Sequence, residues 1–285
     1  MSELVEQVEE NPNNDLPQFH PHLAKRQYLK NNRFANIPLK TRAIIFLGGY
    51  FGLKVASVVV QIVLLLLQGA PQTEAALLNF STALNALTYI IVFIGLAYLL
   101  WEYRKTLFTQ LKSSQTWLRG IGFGLLIMSV TAAYGIISTF IVPDMSDNLN
   151  QQVVESIITY NPFVSFATIA LLGPIVEEFI YRVGLFALLR EKDRHVAFIA
   201  SAIIFGFIHF NMPATDGLDG VVDILVRGDW SGDFAASLVN ELVNIPSYIL
   251  SGLLFCIAYD QEGLGVPMVA HIFNNLTSFI LILVA

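Results

Sequence analysis

The sequence predicts an all-α, polytopic membrane helix bundle, and three observations lead there. Mean hydropathy is +0.61, and 55% of the 285 residues are hydrophobic. Charged residues make up 13%, where a soluble domain carries about 25%. The apolar residues gather into runs of about 20, the length that crosses a bilayer.

Residues 1–24 are rich in Glu, Asn and Pro, a composition expected to stay disordered. Residues 25–42 hold Lys25, Arg26, Lys30, Arg33, Lys40 and Arg42 with no acid among them. This juxtamembrane stretch suits anionic headgroups. Together 1–42 form a polar, then basic, N-terminal tail, and 43–285 form one transmembrane domain. Spans are expected near 43–67, 85–102, 119–142, 163–189, 196–211, 236–259 and 266–285. Seven is the central count. A re-entrant or interfacial helix over 218–226 would give an eighth.

Neither a cleavable signal peptide nor a prenylation box is expected, because the polar start lacks an apolar stretch and the chain ends Leu-Val-Ala. The single cysteine, Cys256, excludes an intrachain disulfide. No nucleic-acid partner is expected; the partners are the lipid bilayer and a membrane-associated peptide or lipidated protein.

Orientation follows the Lys and Arg of short loops. The tail, the 103–118 loop with Arg119, and the 190–195 turn carry 6, 4 and 3 of them, so 13 of the 16 fall on one side. That side is expected to be cytoplasmic, with the N-terminus inside a cell membrane. Seven spans then leave the C-terminus outside.

Three polar clusters interrupt three different spans. The first is Glu177-Glu178-x-x-x-Arg182. A charge at the bilayer centre costs at least ~2.5–3.5 kcal/mol, and two adjacent carboxylates also repel. Glu178 and Arg182 share a helix face at i,i+4. Glu177 is rotated about 100° away, free to serve as a general base once Glu178 is neutralised. The second cluster is Phe205-x-x-x-His209. Glu177 and His209 lie about 20 Å along their helices from the 190–195 turn, so they can meet at one depth. The third is His271-x-x-x-Asn275, again one face, with donors that suit a developing oxyanion. Asn274 points elsewhere. Each cluster has a plainer explanation as a buried ion pair or an interhelical hydrogen bond. Glu, His and Asn in this number also suit zinc, held by Glu177, His209 and His271.

The motifs Glu177-Glu178-x-x-x-Arg182, Phe205-x-x-x-His209 and His271-x-x-x-Asn275 resemble, in order and spacing, those of the CPBP family. These are the CAAX-protease and bacteriocin-processing (Abi) intramembrane proteases, which include the Ras-converting CAAX prenyl endopeptidases. The motif-bearing part spans 163–285. The resemblance implies an endopeptidase in which Glu177 and His209 activate water. His271 and Asn275 would form the oxyanion site, and Glu178, Arg182 and Phe205 would support them. It implies a metal-free, glutamate-dependent mechanism, with the zinc alternative left open. The substrate it implies is a peptide bond of a membrane-associated, possibly C-terminally prenylated, protein.

Two rival functions remain at this level. One is a bacteriocin self-immunity membrane protein, catalytic or not. The other is a proton-coupled transporter, for which the sequence shows no inverted repeat. Other polar residues carry smaller expectations. Glu241, with Asn240 and Asn244, reads as an interfacial helix start, Lys54 as snorkelling or facing a cavity, and Gly173-Pro174 as a kink or a span boundary. Trp101, Tyr103 and Trp117 read as an interfacial belt.

Overall fold

A computed structural model of the chain describes residues 33–143, 148–211 and 232–284, with the isolated positions 224, 227 and 228. The expectations for residues 1–32 and for a helix over 218–226 fall outside the described residues, apart from position 224. Among the described residues every element is helical. The protein is a polytopic membrane bundle, and among the described residues six helices are long and apolar enough to span, with one shorter apolar helix beside them.

After a 3₁₀ turn at Arg33–Asn36, the helices are α1 (Leu39–Gln68), α2 (Glu74–Leu99), the short α3 (Arg104–Leu111) and α4 (Ser114–Ile141). There follow α5 (Leu149–Tyr160), α6 (Pro162–Arg190), α7 (Arg194–Phe207), α8 (Asp233–Glu262) and α9 (Gly265–Val284). The antiparallel order gathers Lys40, Arg42, Arg104, Lys105, Lys112, Arg119, Arg190, Lys192 and Arg194 at one end of the bundle, called here the basic end.

The structure differs from the sequence reading in four places. α2 starts at Glu74 rather than near 85, because Thr73 caps it by accepting from the Ala76 N–H. The polar residues of its first turns are then satisfied locally. Thr82 donates to the Leu78 carbonyl, and Asn79 donates to the Tyr160 hydroxyl. The loop over 143–162 contains the amphipathic α5, capped by Asn148 accepting from the Gln151 N–H. Arg42, read as a headgroup contact, is buried at 1% exposure. It donates to the Ala187 carbonyl at 2.7 Å and pairs with Glu191 at 3.1 Å, so it clamps α1 to the end of α6. Lastly, α7 ends at Phe207, and His209 sits in the turn beyond it.

The basic end is also locked by Asp260 of α8. Its carboxylate accepts from Arg190 at 2.8 Å and from Arg194 at 3.0 and 3.1 Å. Asp193 caps α7 through the Val196 N–H, and that hydrogen bond holds its carboxyl below the usual carboxylate range. Arg119 pairs with Glu262. Trp101 and Trp117 are exposed near this end, with the Arg104 guanidinium over the Trp101 ring, as an interfacial belt requires.

Close helix contacts rest on small residues, since lipid supplies no hydrophobic drive for association. α4 approaches α9 at Gly120, where an added Cβ would lie 2.5 Å from Val269. α1 crosses α6 at Gly184, where it would lie 2.8 Å from the backbone nitrogen of Phe46. Backbone cannot move aside as a side chain can. Gly184→Ala is expected to destabilise the bundle by about 1–3 kcal/mol through overpacking. Gly95→Ala, which meets open space, should be neutral. Thermal unfolding of the two variants in detergent checks the difference.

Candidate active site

The site is built on α6, and α6 is irregular where it matters. Gly173-Pro174 neither ends nor breaks it. Phe166–Leu172 and Phe179–Phe186 are π-helical and flank the α-helical Gly173–Glu178. Pro174 has no N–H to donate, and the Gly173 N–H reaches back five residues to Thr168. Such widened turns re-aim side chains and recur at functional sites. Here they flank the segment that carries Glu177 and Glu178.

Glu178 and Arg182 are both fully buried, with Arg182 Nε 3.3 Å from Glu178 Oε2. The guanidinium lies 4.6 Å from the Phe205 ring centroid and 5.3 Å from that of Phe255. Ring faces supply part of what lost water would have supplied. The second oxygen of Glu178 is 3.0 Å from His271 Nδ1. With a carboxylate as partner, Nδ1 carries the proton, which leaves His271 Nε2 directed at Glu177 Oε2, 3.8 Å away. The other Glu177 oxygen accepts from the Tyr89 hydroxyl at 3.1 Å. A continuous polar chain therefore runs Arg182, Glu178, His271, Glu177, Tyr89.

Phe205 sits at the centre of the rings. Its centroid is 5.2 Å from His209, 5.9 Å from His271 and 5.5 Å from Tyr181. His209 also stacks on Tyr248 at 4.2 Å, and His271 stacks on Phe255 at 4.5 Å. Asn275 donates one amide hydrogen to the Ile169 carbonyl in the first π segment at 3.1 Å, which leaves its second for another acceptor. Glu177, Phe205, His209, His271 and Asn275 all line one cavity of about 510 Å³. Glu178 and Arg182 lie behind its wall. Asn274 lines the same cavity, so both asparagines of the last motif reach it.

Among the described residues no three His, Cys, Asp or Glu side chains are grouped to hold a metal. Glu177, His209 and His271 are not so grouped.

Two contributors escaped the sequence reading. Tyr89 lies on α2, outside the motif-bearing part, with no charged residue near it in that span. Glu241 read as an interfacial residue, yet it is buried at 1% exposure. Its carboxylate accepts from the Leu149 N–H at 2.6 Å and the Asn211 N–H at 3.1 Å. It ties the start of α5 to the backbone two residues past His209. The signal was available, since a carboxylate at a span end with no basic neighbour in sequence requires donors from elsewhere.

Removing Arg182 leaves Glu178 buried beside Glu177 with the His271 imidazole as its remaining partner. Arg182→Met is expected to destabilise the protein by about 3–5 kcal/mol. Arg182→Met combined with Glu178→Leu should recover much of that loss. Unfolding midpoints of the single and double variants test the coupling, and equal losses in both would contradict it.

Comparisons with known proteins agree with the motifs. Residues 159–277 match the family described as type II CAAX prenyl endopeptidase Rce1-like. The UPF0177 protein YvdC of Lactococcus lactis subsp. lactis strain IL1403 is 30% identical over 89 residues, which is 31% of this chain and 33% of that protein. The match thus spans about a third of the curated relative's length. No solved structure matches. Residues 159–277 of this multi-pass membrane protein therefore match an Rce1-like domain, in keeping with the three motifs.

Proposed function

We propose that the protein is an intramembrane endopeptidase that hydrolyses a peptide bond of a membrane-associated substrate with a water activated by Glu177. The observation that carries this reading is the setting of Glu177. Its carboxylate faces a polar cavity between a tyrosine hydroxyl and an imidazole, and the neighbouring Glu178 is already committed to Arg182 and His271. A base needs one carboxylate left free for chemistry, and this division provides it.

In the proposed step, Glu177 takes a proton from water as the water oxygen bonds to the peptide carbonyl carbon. The carbonyl π pair moves onto its oxygen. Asn275 and His271 donate to that oxyanion. His271 does so from Nε2 in its imidazolium form. The tetrahedral intermediate collapses, the C–N bond breaks, and the amine leaves with the proton held by Glu177. Products are a carboxylate and an amine. His209, on the same cavity wall, would orient the water. The surrounding low-dielectric helices strengthen each of these interactions.

Reconstituted protein offered a membrane-anchored peptide should cleave it. Glu177→Gln and His209→Ala should each lower kcat by about 10²–10⁴-fold, the usual worth of general acid–base catalysis, while the protein still inserts in the membrane. Full activity in either variant would end this assignment. Survival of a self-protection phenotype in Glu177→Gln cells would instead favour a non-catalytic immunity role. A chelator should leave the rate unchanged, and loss restored by one specific metal would replace the metal-free scheme. Tyr89→Phe should lower kcat by roughly tenfold, about the ~1.4 kcal/mol of a hydrogen bond to a charged group.

A further inference from the structure

Lys54 takes no part in the hydrolytic step, yet it stands at the middle of α1, 15 residues from Leu39 and 14 from Gln68. Either end is about 21 Å of helix away, beyond the reach of a snorkelling lysine. An ammonium left to lipid at that depth is costly, and a charge kept there marks a functional position. The cavity gives it another environment. Lys54 lines the same cavity as Glu177 and is the sole Lys or Arg on that wall among the described residues. The Tyr50 ring, one turn earlier on α1, lies 5.4 Å from its Nζ. Lys54 forms no ion pair among the described residues.

Helix packing fixes the level of Lys54. α1 and α2 run antiparallel, and Gly52 meets Val92, whose Cγ2 would lie 3.9 Å from an added Cβ. Two residues further along each helix, Lys54 is level with Ile90, next to Tyr89, whose hydroxyl holds Glu177 at 3.1 Å. Asn85, one turn along α2 from Tyr89, lines the same cavity, and its side-chain oxygen is buried without a hydrogen-bond partner. A buried acceptor left unmet costs free energy until a donor arrives. An unpaired ammonium and an unmet acceptor thus stand less than two turns apart in level, on one cavity wall. Together they match a carboxylate and a peptide N–H. Glu177 by itself would repel an anionic ligand, and Lys54 reverses the local sign. Lipid phosphates lie at the interface, so an anion at this level arrives with the substrate.

Resting on the endopeptidase reading, we propose that Lys54 and Asn85 form an anion subsite of the cavity. Lys54 pairs with a carboxylate of the peptide substrate, and Asn85 accepts from a neighbouring substrate N–H. The carboxylate is the peptide C-terminus or an acidic side chain near the scissile bond. Lys54 is then a specificity-determining residue supplied by a helix outside the matched residues 159–277.

The probe is a peptide carrying an S-farnesyl cysteine, the substrate type that the motifs imply. It is made as the C-terminal acid, as the C-terminal amide, and as the amide with one glutamate after the cysteine. Binding is measured to Glu177→Gln protein in lipid nanodiscs, where turnover does not intervene. A carboxylate-bearing peptide should bind about tenfold tighter than the plain amide, the usual worth of a hydrogen bond to a charged group. Which of the two does so identifies the source of the carboxylate. Adding Lys54→Met should equalise the three peptides, and Lys54→Arg should keep most of the preference. Lys54→Gln serves if Lys54→Met is not produced. Equal binding of all three peptides, binding of none, or a preference that survives loss of the ammonium overturns the proposal. Cleavage by the protein with Glu177 intact separates the two readings. A Lys54-dependent preference in binding without any cleavage ends the endopeptidase reading alone. Glu177-dependent cleavage that ignores the carboxylate ends the subsite alone.

Discussion

The buried Glu178–Arg182 pair is the contact on which the site depends. Both side chains are fully buried, in a chain whose surroundings offer no water. Such a pair is costly unless neighbouring groups compensate it. Phe205 and Phe255 cover the guanidinium, and His271 takes the second carboxylate oxygen. That requirement draws three helices together, because Phe205 comes from α7, Phe255 from α8 and His271 from α9. The same arrangement turns His271 Nε2 toward Glu177. Structural compensation and placement of the chemistry are one event here.

The irregularity of α6 follows from the same demand. A regular helix would set Glu177 and Glu178 by the 100° step alone. The π segments on either side change that local geometry, and the missing donor of Pro174 makes the departure cheap in this stretch. The Ile169 carbonyl in the first π segment accepts from Asn275. Backbone that would be satisfied internally in an ordinary span becomes available to the site, which is tolerated where it faces protein or a cavity rather than lipid.

Much of this was legible in the chain. The fold class followed from hydropathy and run length, and the family from three motifs in order. The i,i+4 spacing of Glu178 and Arg182 already implied their contact. The boundaries were less legible, because caps such as Thr73 and Asn148 extend helices into polar sequence that hydropathy reads as loop. Arg42 misled for a related reason. A basic residue beside a span ordinarily meets headgroups, but Ala187 and Glu191 offered better partners, 145 and 149 residues away in sequence.

Local sequence by itself determined that this protein crosses a membrane several times, that charges inside spans need partners, and which residue types could do chemistry. Those properties depend on composition and on helical periodicity, which act over a few turns. Only the tertiary structure decided that His271 bridges the two glutamates, that Tyr89 from a chemically silent span holds Glu177, and that Glu241 fastens the backbone beyond His209. Each of these depends on which helices are neighbours and how they are rotated. Such choices are made by packing among residues dozens of positions apart, and periodicity within one helix carries no record of them.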